Sequence, residues 1–399
     1  MPTYPTYKLG EISKIYNGNS INAEEKEKKY RGVDGRNYIG TKDIDFDCSV
    51  NYNNGVKIPF DEKKFKVAPA GSVLVCAEGG SAGKKSAYIS EDVCFGNKLF
   101  AITNNQNLFE GKYVFYYTRY KKFFDLFKNE LSGLIGGVSS KKFGEIPIPL
   151  PPLPTQHQIV SRIESLFAEL DKAVEHLRTT QQQLKIYRQA VLNHWLNNED
   201  GKWETVKLGE VAEVKRGRSK HRPRNDKSLF GGKYPFIQTG EIREAKGGTI
   251  TTYSQTYSEK GLEQSRLWPK GTLCLTIAAN IAETAYLGFD ACFPDSVVGI
   301  IARQDRLNLD YFNCYIQLIK QMIEQQASAT AQKNINVDYL ENLQIPLPPL
   351  SEQQRIVEEI ETRLSQAEAA EARIAEALQK TEALRQSILK KAFSGEFDL

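Results

Sequence analysis

The chain contains a long internal repeat. Ile148-Pro-Leu-Pro-Pro-Leu153 returns as Ile345-Pro-Leu-Pro-Pro-Leu350, 197 positions later. At the same shift Gln156, Ile159, Val160, Ile163, Glu164, Arg188, Gln189 and Leu192 fall on Gln353, Ile356, Val357, Ile360, Glu361, Arg385, Gln386 and Leu389, with no gap. Two copies of one unit are therefore expected, each a globular piece followed by a long helix.

The helices are read from the residues after each proline pair. Proline holds the backbone extended and cannot extend a hydrogen-bonded ladder, so Pro151-Pro152 and Pro348-Pro349 mark stiff stops to the preceding domains. Thr155 with Gln158, and Ser351 with Gln354, then have the spacing of capping boxes. Steps of four and three visit Ile159, Ile163, Leu166, Leu170, Ala173, Leu177, Thr180, Leu184, Tyr187, Val191 and His194 in the first helix. In the second they visit Ile356, Ile360, Arg363, Ala367, Ala370, Ile374, Ala377, Thr381, Leu384, Ile388 and Lys391. Both rows are mostly apolar, as a coiled-coil seam requires. A helix of about 42 residues is roughly 60 Å long, too long for a core element of a small domain. One reading gives each domain its own separate amphipathic helix. The favoured reading is an antiparallel coiled coil about a pseudo-twofold axis, a spacer with one domain at each end.

The domains repeat as well. Tyr7-Lys-Leu-Gly-Glu-Ile12 answers Val206-Lys-Leu-Gly-Glu-Val211, Pro69-Ala-Gly71 answers Pro269-Lys-Gly271, and Cys94-Phe95 answers Cys292-Phe293. Short alternating runs broken by Gly, Asn and Pro dominate, with helix-like stretches at 113–127 and 311–325. The fold class expected is α+β: two repeated, mostly β mixed domains at 1–146 and 201–343, with long helical segments at 147–200 and 344–399.

Charge divides along the same lines. Lys+Arg against Asp+Glu number 22 against 17 over residues 1–150 and 19 against 16 over 201–346, but 5 against 6 over 151–200 and 7 against 10 over 347–399. Basic domains beside neutral to acidic helices suggest polyanion contact at the domains and protein contact along the helices. The densest basic run is Lys215-Arg216-Gly-Arg218-Ser-Lys220-His-Arg222-Pro-Arg224, and six cations in ten residues, broken by Gly and Pro, favour a phosphate-contacting loop over a solvated one. Glu78-Gly-Gly-Ser-Ala-Gly83-Lys84-Lys85 imitates a phosphate-binding loop, but its spacing is wrong and Lys85 stands where Ser or Thr should meet magnesium. A tight turn carrying Lys84 and Lys85 to a nucleic acid is the better reading. Its counterpart around Glu283 is neither Gly-rich nor basic. Two matched polar segments precede the proline pairs, one ending in Lys141-Lys142 and the other containing Gln332-Lys333-Asn334; each could touch a ligand or dock its domain onto its helix.

Six scattered cysteines without a Cys-x-x-Cys pair, and four histidines, suggest neither a zinc cage nor a disulfide framework. Cys94 and Cys292 read as small buried residues rather than nucleophiles. No apolar run is long enough to cross a bilayer and no basic-then-apolar leader opens the chain, so a cytoplasmic protein is expected.

Taken together, the duplicated Pro-rich segment with its Gln-x-x-Ile-Val continuation, the long helices, Thr330-Ala-Gln-Lys-Asn-Ile-Asn336 and the closing Ala392-Phe-Ser-Gly-Glu-Phe397 resemble the specificity subunit of type I restriction-modification systems over essentially the whole chain. The resemblance implies two target recognition domains, each reading half of a split double-stranded DNA sequence, and helices that set the spacing and hold two methylation subunits. It implies that S-adenosylmethionine is bound by those partners, with ATP and magnesium on motor-nuclease restriction subunits where these join, and that this chain binds no cofactor or metal. The residues agree with a non-catalytic role, since no Asp/Asn-Pro-Pro-Tyr/Phe signature of an amino-methyltransferase occurs. An adaptor that joins proteins without reading DNA, and an enzyme with a concealed site, remain the other classes. On the DNA-reading view the contact candidates are Lys84, Lys85, Lys141, Lys142, Arg216, Arg218, Lys220, Arg222, Arg224, Gln332, Lys333 and Asn334. The seam is expected to consist of Ile159, Ile163, Leu166, Leu170, Leu177, Leu184, Val191, Ile356, Ile360, Ile374, Leu384 and Ile388.

Overall fold

The computed structural model describes the chain except residues 1–3, 105, 132–135, 221, 222, 224, 279, 329–333 and 398–399. It folds as two units: Met1–Arg178 with Ala375–Leu399, and Thr179–Ile374. Each unit therefore combines one globular domain with a stretch of both long helices.

In the first unit an antiparallel sheet runs in the order Lys14–Asn17, Leu99–Thr103, Val73–Cys76, Ser86–Tyr88. Its two middle strands are apolar on both faces because both faces are covered. Val73, Val75, Phe100 and Ile102 face a core that holds Tyr113, Tyr117, Phe143 and the long-helix residues Ile159, Ile163, Phe167, Leu389, Ala392 and Phe393. Leu74, Cys76, Leu99 and Ala101 face a second core against Ile39 and Phe95. A further four-stranded sheet, in which Arg36–Ile39 and Val93–Phe95 pair in parallel, lies in the same domain.

The second unit repeats this plan with Ala212–Arg216, Val297–Ala302, Leu273–Thr276 and Thr284–Leu287, and adds Thr249–Ile250 at the edge. One face of its sheet packs on Tyr311, Phe312 and Ile316, and on Val191, Leu192, Leu196, Ile356, Val357 and Ile360 of the long helices.

The proline-bearing lead-ins belong to the domains rather than merely ending them. Pro147–Pro149 pairs antiparallel with Thr6–Lys8, and Gln344–Leu347 with Glu204–Lys207, in two-stranded ribbons that tolerate missing amide donors. The long helices span Leu153–Leu196 and Leu350–Ser394, so Thr155 and Ser351 lie inside the first turn rather than at the cap. Fully buried glutamines tie these first turns down. Gln156 donates to Leu108 O and Pro151 O and accepts from the Glu110 amide; Gln353 does the same with Arg306 O, Pro348 O and the Asn308 amide.

Within each unit the two helices run antiparallel. In the second, Arg188 pairs with Glu371 at 3.2 Å, while Trp195, farther along the first helix, meets Arg363 and Arg355, nearer the start of the other. In the first unit Arg385 pairs with Asp171 and lies over the Phe167 ring. Most expected seam residues are buried or half-buried, but Leu384 is 51% exposed, and so is not part of the seam. Tyr187, visited by the same stepping, is also exposed. The neighbouring arginines, Arg385 and Arg188, turn inward instead. Their aliphatic stems cover apolar surface while the guanidinium reaches an acid on the facing helix.

The helical stretch expected near 113–127 is also interrupted. It forms Gly111–Thr118 and Lys121–Asn129, whereas its counterpart runs unbroken from Leu309 to Ser328. Gln386 satisfies the break, donating to Arg119 O at 3.2 Å and accepting from the Lys121 amide at 2.9 Å.

Candidate nucleic-acid interface

A basic loop contacts DNA only if the fold holds it out beside other loops, and here hydrogen bonds to backbone carbonyls tie four segments of each domain together. In the second unit the Arg216 Nε–H donates to Asp295 O, the Ile277 amide donates to Ser296 O at 3.0 Å, and the Ile335 amide donates to Ile277 O at 3.0 Å. The first unit makes the same chain of contacts. The Asn17 side-chain amide donates to Asn97 O at 2.9 Å, the Ala77 amide to Lys98 O at 2.9 Å, and the Val138 amide to Ala77 O at 3.2 Å. Segments distant in sequence thus become neighbours twice, by the same bonds.

Glycine permits the closest of these approaches. A Cβ on Gly217 would sit 2.3 Å from Pro294 O, and one on Gly18 would sit 1.9 Å from Phe95 O, so the chain leaves each strand pressed against the segment that follows the Cys-Phe pair. The basic loop starts at Gly217. Lys215 is engaged by Glu213, which also holds Arg266 at 2.9 Å; the hydrogen bond from Arg266 keeps the Glu213 carboxyl below its ordinary range. Arg216, Arg218 and Lys220 are exposed, and Arg218 and Lys220 have no carboxylate partner among the described residues. Arg222, Arg224, Gln332 and Lys333 lie outside the described residues. Asn334 is half-buried, next to the Ile335 amide that closes the chain of contacts.

In the first unit the Gly-rich turn leads into the strand Ser86–Tyr88, not into a helix, which separates it further from a nucleotide-binding loop. Lys84 is exposed. Lys85 is half-buried and directed inward, donating to Thr41 O at 3.4 Å with its ammonium 4.8 Å from the centre of the Phe46 ring. Lys141 and Lys142 are exposed at the start of Ser140–Gly144, with Lys142 3.8 Å from Glu130. Lys98, exposed at the tip that follows Cys94-Phe95, is a member of this surface that sequence reasoning missed. Its signal was the repeated Cys-Phe pair, which precedes this turn in both copies. In the second unit Glu283 faces Lys320 at 2.7 Å, so that turn carries no free positive charge.

Burial pushes the Cys94 and Cys292 thiols up to about 11, where they stay protonated and weakly nucleophilic. Among the described residues no group of three His, Cys, Asp or Glu is placed to hold a metal ion, and no helix is long and apolar enough to cross a membrane.

Two copies of one domain, each presenting four linked loops on a sheet braced by long helices, define a paired recognition module. The family model for the type I restriction modification DNA specificity domain matches residues 1–177 and again 200–380, and the chain belongs to that family. It is 25% identical over 293 residues to a putative type I restriction enzyme MjaX specificity subunit of Methanocaldococcus jannaschii, covering 70% of this chain and 67% of the relative. It is 24% identical to the type I restriction enzyme EcoKI specificity subunit of Escherichia coli, covering 83% of this chain and 75% of that one. A chain from a solved structure concerned with complex assembly and conformational transition of the type I R-M system superposes with a TM-score of 0.81 at 20% identity, covering 100% of this chain and 99% of the other.

Proposed function

We propose that each domain reads one half of a bipartite double-stranded DNA target through its four linked loops, and that the long helices set the separation of the half-sites and hold two methylation subunits. The observation that carries this reading is the recurrence of the loop-to-loop hydrogen bonds around different side chains. The bonds keep the platform constant, while Lys84, Lys98 and Lys141 in one copy and Arg216, Arg218 and Lys220 in the other present different chemistry to a duplex. Phosphate contacts position such a platform, and base contacts at its varied tips specify sequence. A protein-only adaptor has no need of exposed cations on repeated loops, and the family match to two DNA specificity domains speaks against it.

On this reading the chain is a cytoplasmic, non-catalytic subunit. S-adenosylmethionine sits on the methylation subunits, and ATP and magnesium on restriction subunits where these join. Purified alone and given labelled S-adenosylmethionine, the chain should transfer no methyl group; with its methylation subunit it should methylate a split motif. Methyl transfer by the isolated chain, persisting after every contaminating subunit is removed, would refute the non-catalytic assignment.

A further inference from the structure

The break between Gly111–Thr118 and Lys121–Asn129, which the unbroken Leu309–Ser328 does not share, borders a groove in the first domain. Lys84, Arg119, Lys121 and Gln386 line one cavity of about 410 Å³, and Lys121, Lys122, Gln386 and Lys390 line another of about 490 Å³. Lys121 and Gln386 belong to both, so the cavities form one continuous groove starting at the Gly-rich turn. Five cations border it against two acids, Asp125 and Glu382, and none of the five has a carboxylate within 4 Å among the described residues.

Arg119 is held within the fold, its guanidinium 5.6 Å and 6.0 Å from the centres of the Phe115 and Phe167 rings, but stability does not account for Lys121 and Lys122. Lys121 and Lys122 occupy the first turn of Lys121–Asn129, where the helix dipole disfavours cations. The repeat shows that the scaffold does not require them either. At the matching positions the second copy has Gln317 for Arg119, Ile319 for Lys121 and Asn193 for Lys390, and the one lysine it keeps, Lys320, is bound by Glu283. A shared framework with free charge at these positions in one copy only points to a contact made by the first unit alone. The groove is continuous with the Lys84 turn of the interface, and its charge complements a regularly spaced polyanion rather than an apolar helix or a single small anion.

Resting on the DNA-reading assignment, we propose that this groove binds the sugar–phosphate backbone of the duplex beside the half-site read by the first domain, so that the two domains hold DNA unequally. It would add affinity without sequence information.

The test is K121A/K122A/K390A in the assembled complex with its methylation subunit. Binding is measured against salt on two duplexes of equal length, one with the methylated motif and one without. Each lost phosphate contact lowers the log–log salt slope by roughly 0.9, so the slope should fall by about 2–3 on both duplexes while the methylated motif stays the same. Phosphate-ethylation interference should disappear beside the first half-site only. An unchanged slope on both duplexes would overturn the proposal, as would loss of the methylation subunit in gel filtration with the slope intact, which would make the groove a protein dock. If the parent complex shows no preference for the motif yet the slope falls, the groove stands and the DNA-reading assignment fails.

Discussion

Gln156 and Gln353 stand out in the sequence as a matched pair, yet nothing local reveals their task. Their partners lie in loops 45 to 48 residues upstream, around Leu108–Glu110 and Arg306–Asn308, as well as at the nearby proline carbonyls. Sequence patterning reports which face of a helix is buried, but not which buried polar group fastens it to a distant loop. The same limit hid Lys98 and the chains of hydrogen bonds to backbone carbonyls that gather these loops. Because Gln353 is fully buried and hydrogen-bonded at both ends of its amide, Gln353→Leu preserves volume and orphans the Asn308 amide and two carbonyls. A loss of about 2–4 kcal/mol is expected from unsatisfied buried groups. For a unit of this size that is a fall in melting temperature of roughly 5–15 °C in thermal unfolding followed by circular dichroism. A fall of under about 2 °C would show that water or rearrangement replaces the amide.

The long helices were legible as elements because periodicity and proline stops agree over more than forty residues. The exact phase of the seam was less legible. Leu384 and Arg385 are adjacent, and a hydropathy pattern favours the leucine; packing favours the arginine, which lies over Phe167 and reaches Asp171. Arg188 makes the matching choice over Tyr187, and its contact with Glu368 is the repeat equivalent of the Arg385–Asp171 pair. These pairs tie the helices at matching points in the two units, which a wholly apolar seam leaves less sharply specified. Arg385→Asp should therefore lower stability by setting two carboxylates against each other, and adding Asp171→Arg should recover part of the loss. Asp171 is largely exposed, so the coupling recovered in a double-mutant cycle should be modest, about 0.5–1 kcal/mol. Strictly additive effects would mean that the pair does not fix the packing.

For the whole molecule, the repeat made the two-domain plan readable before any geometry was known, because shared anchors recur at a nearly constant shift. What differs between the anchors, the Gly-rich turn of one copy and the basic loop of the other, is where specificity belongs on this account. The most direct measurement is an exchange of one reader. Residues 9–146 are replaced by the equivalent stretch of a relative, leaving Thr6–Lys8 and Pro147–Pro149 to pair as they do here, and the hybrid is expressed with its methylation subunit while host DNA is sequenced for methylated sites. One half of the bipartite motif should change to that of the donor, with the other half and the intervening spacer unchanged. Alteration of both halves, or of neither, would contradict the claim that the two domains read DNA independently.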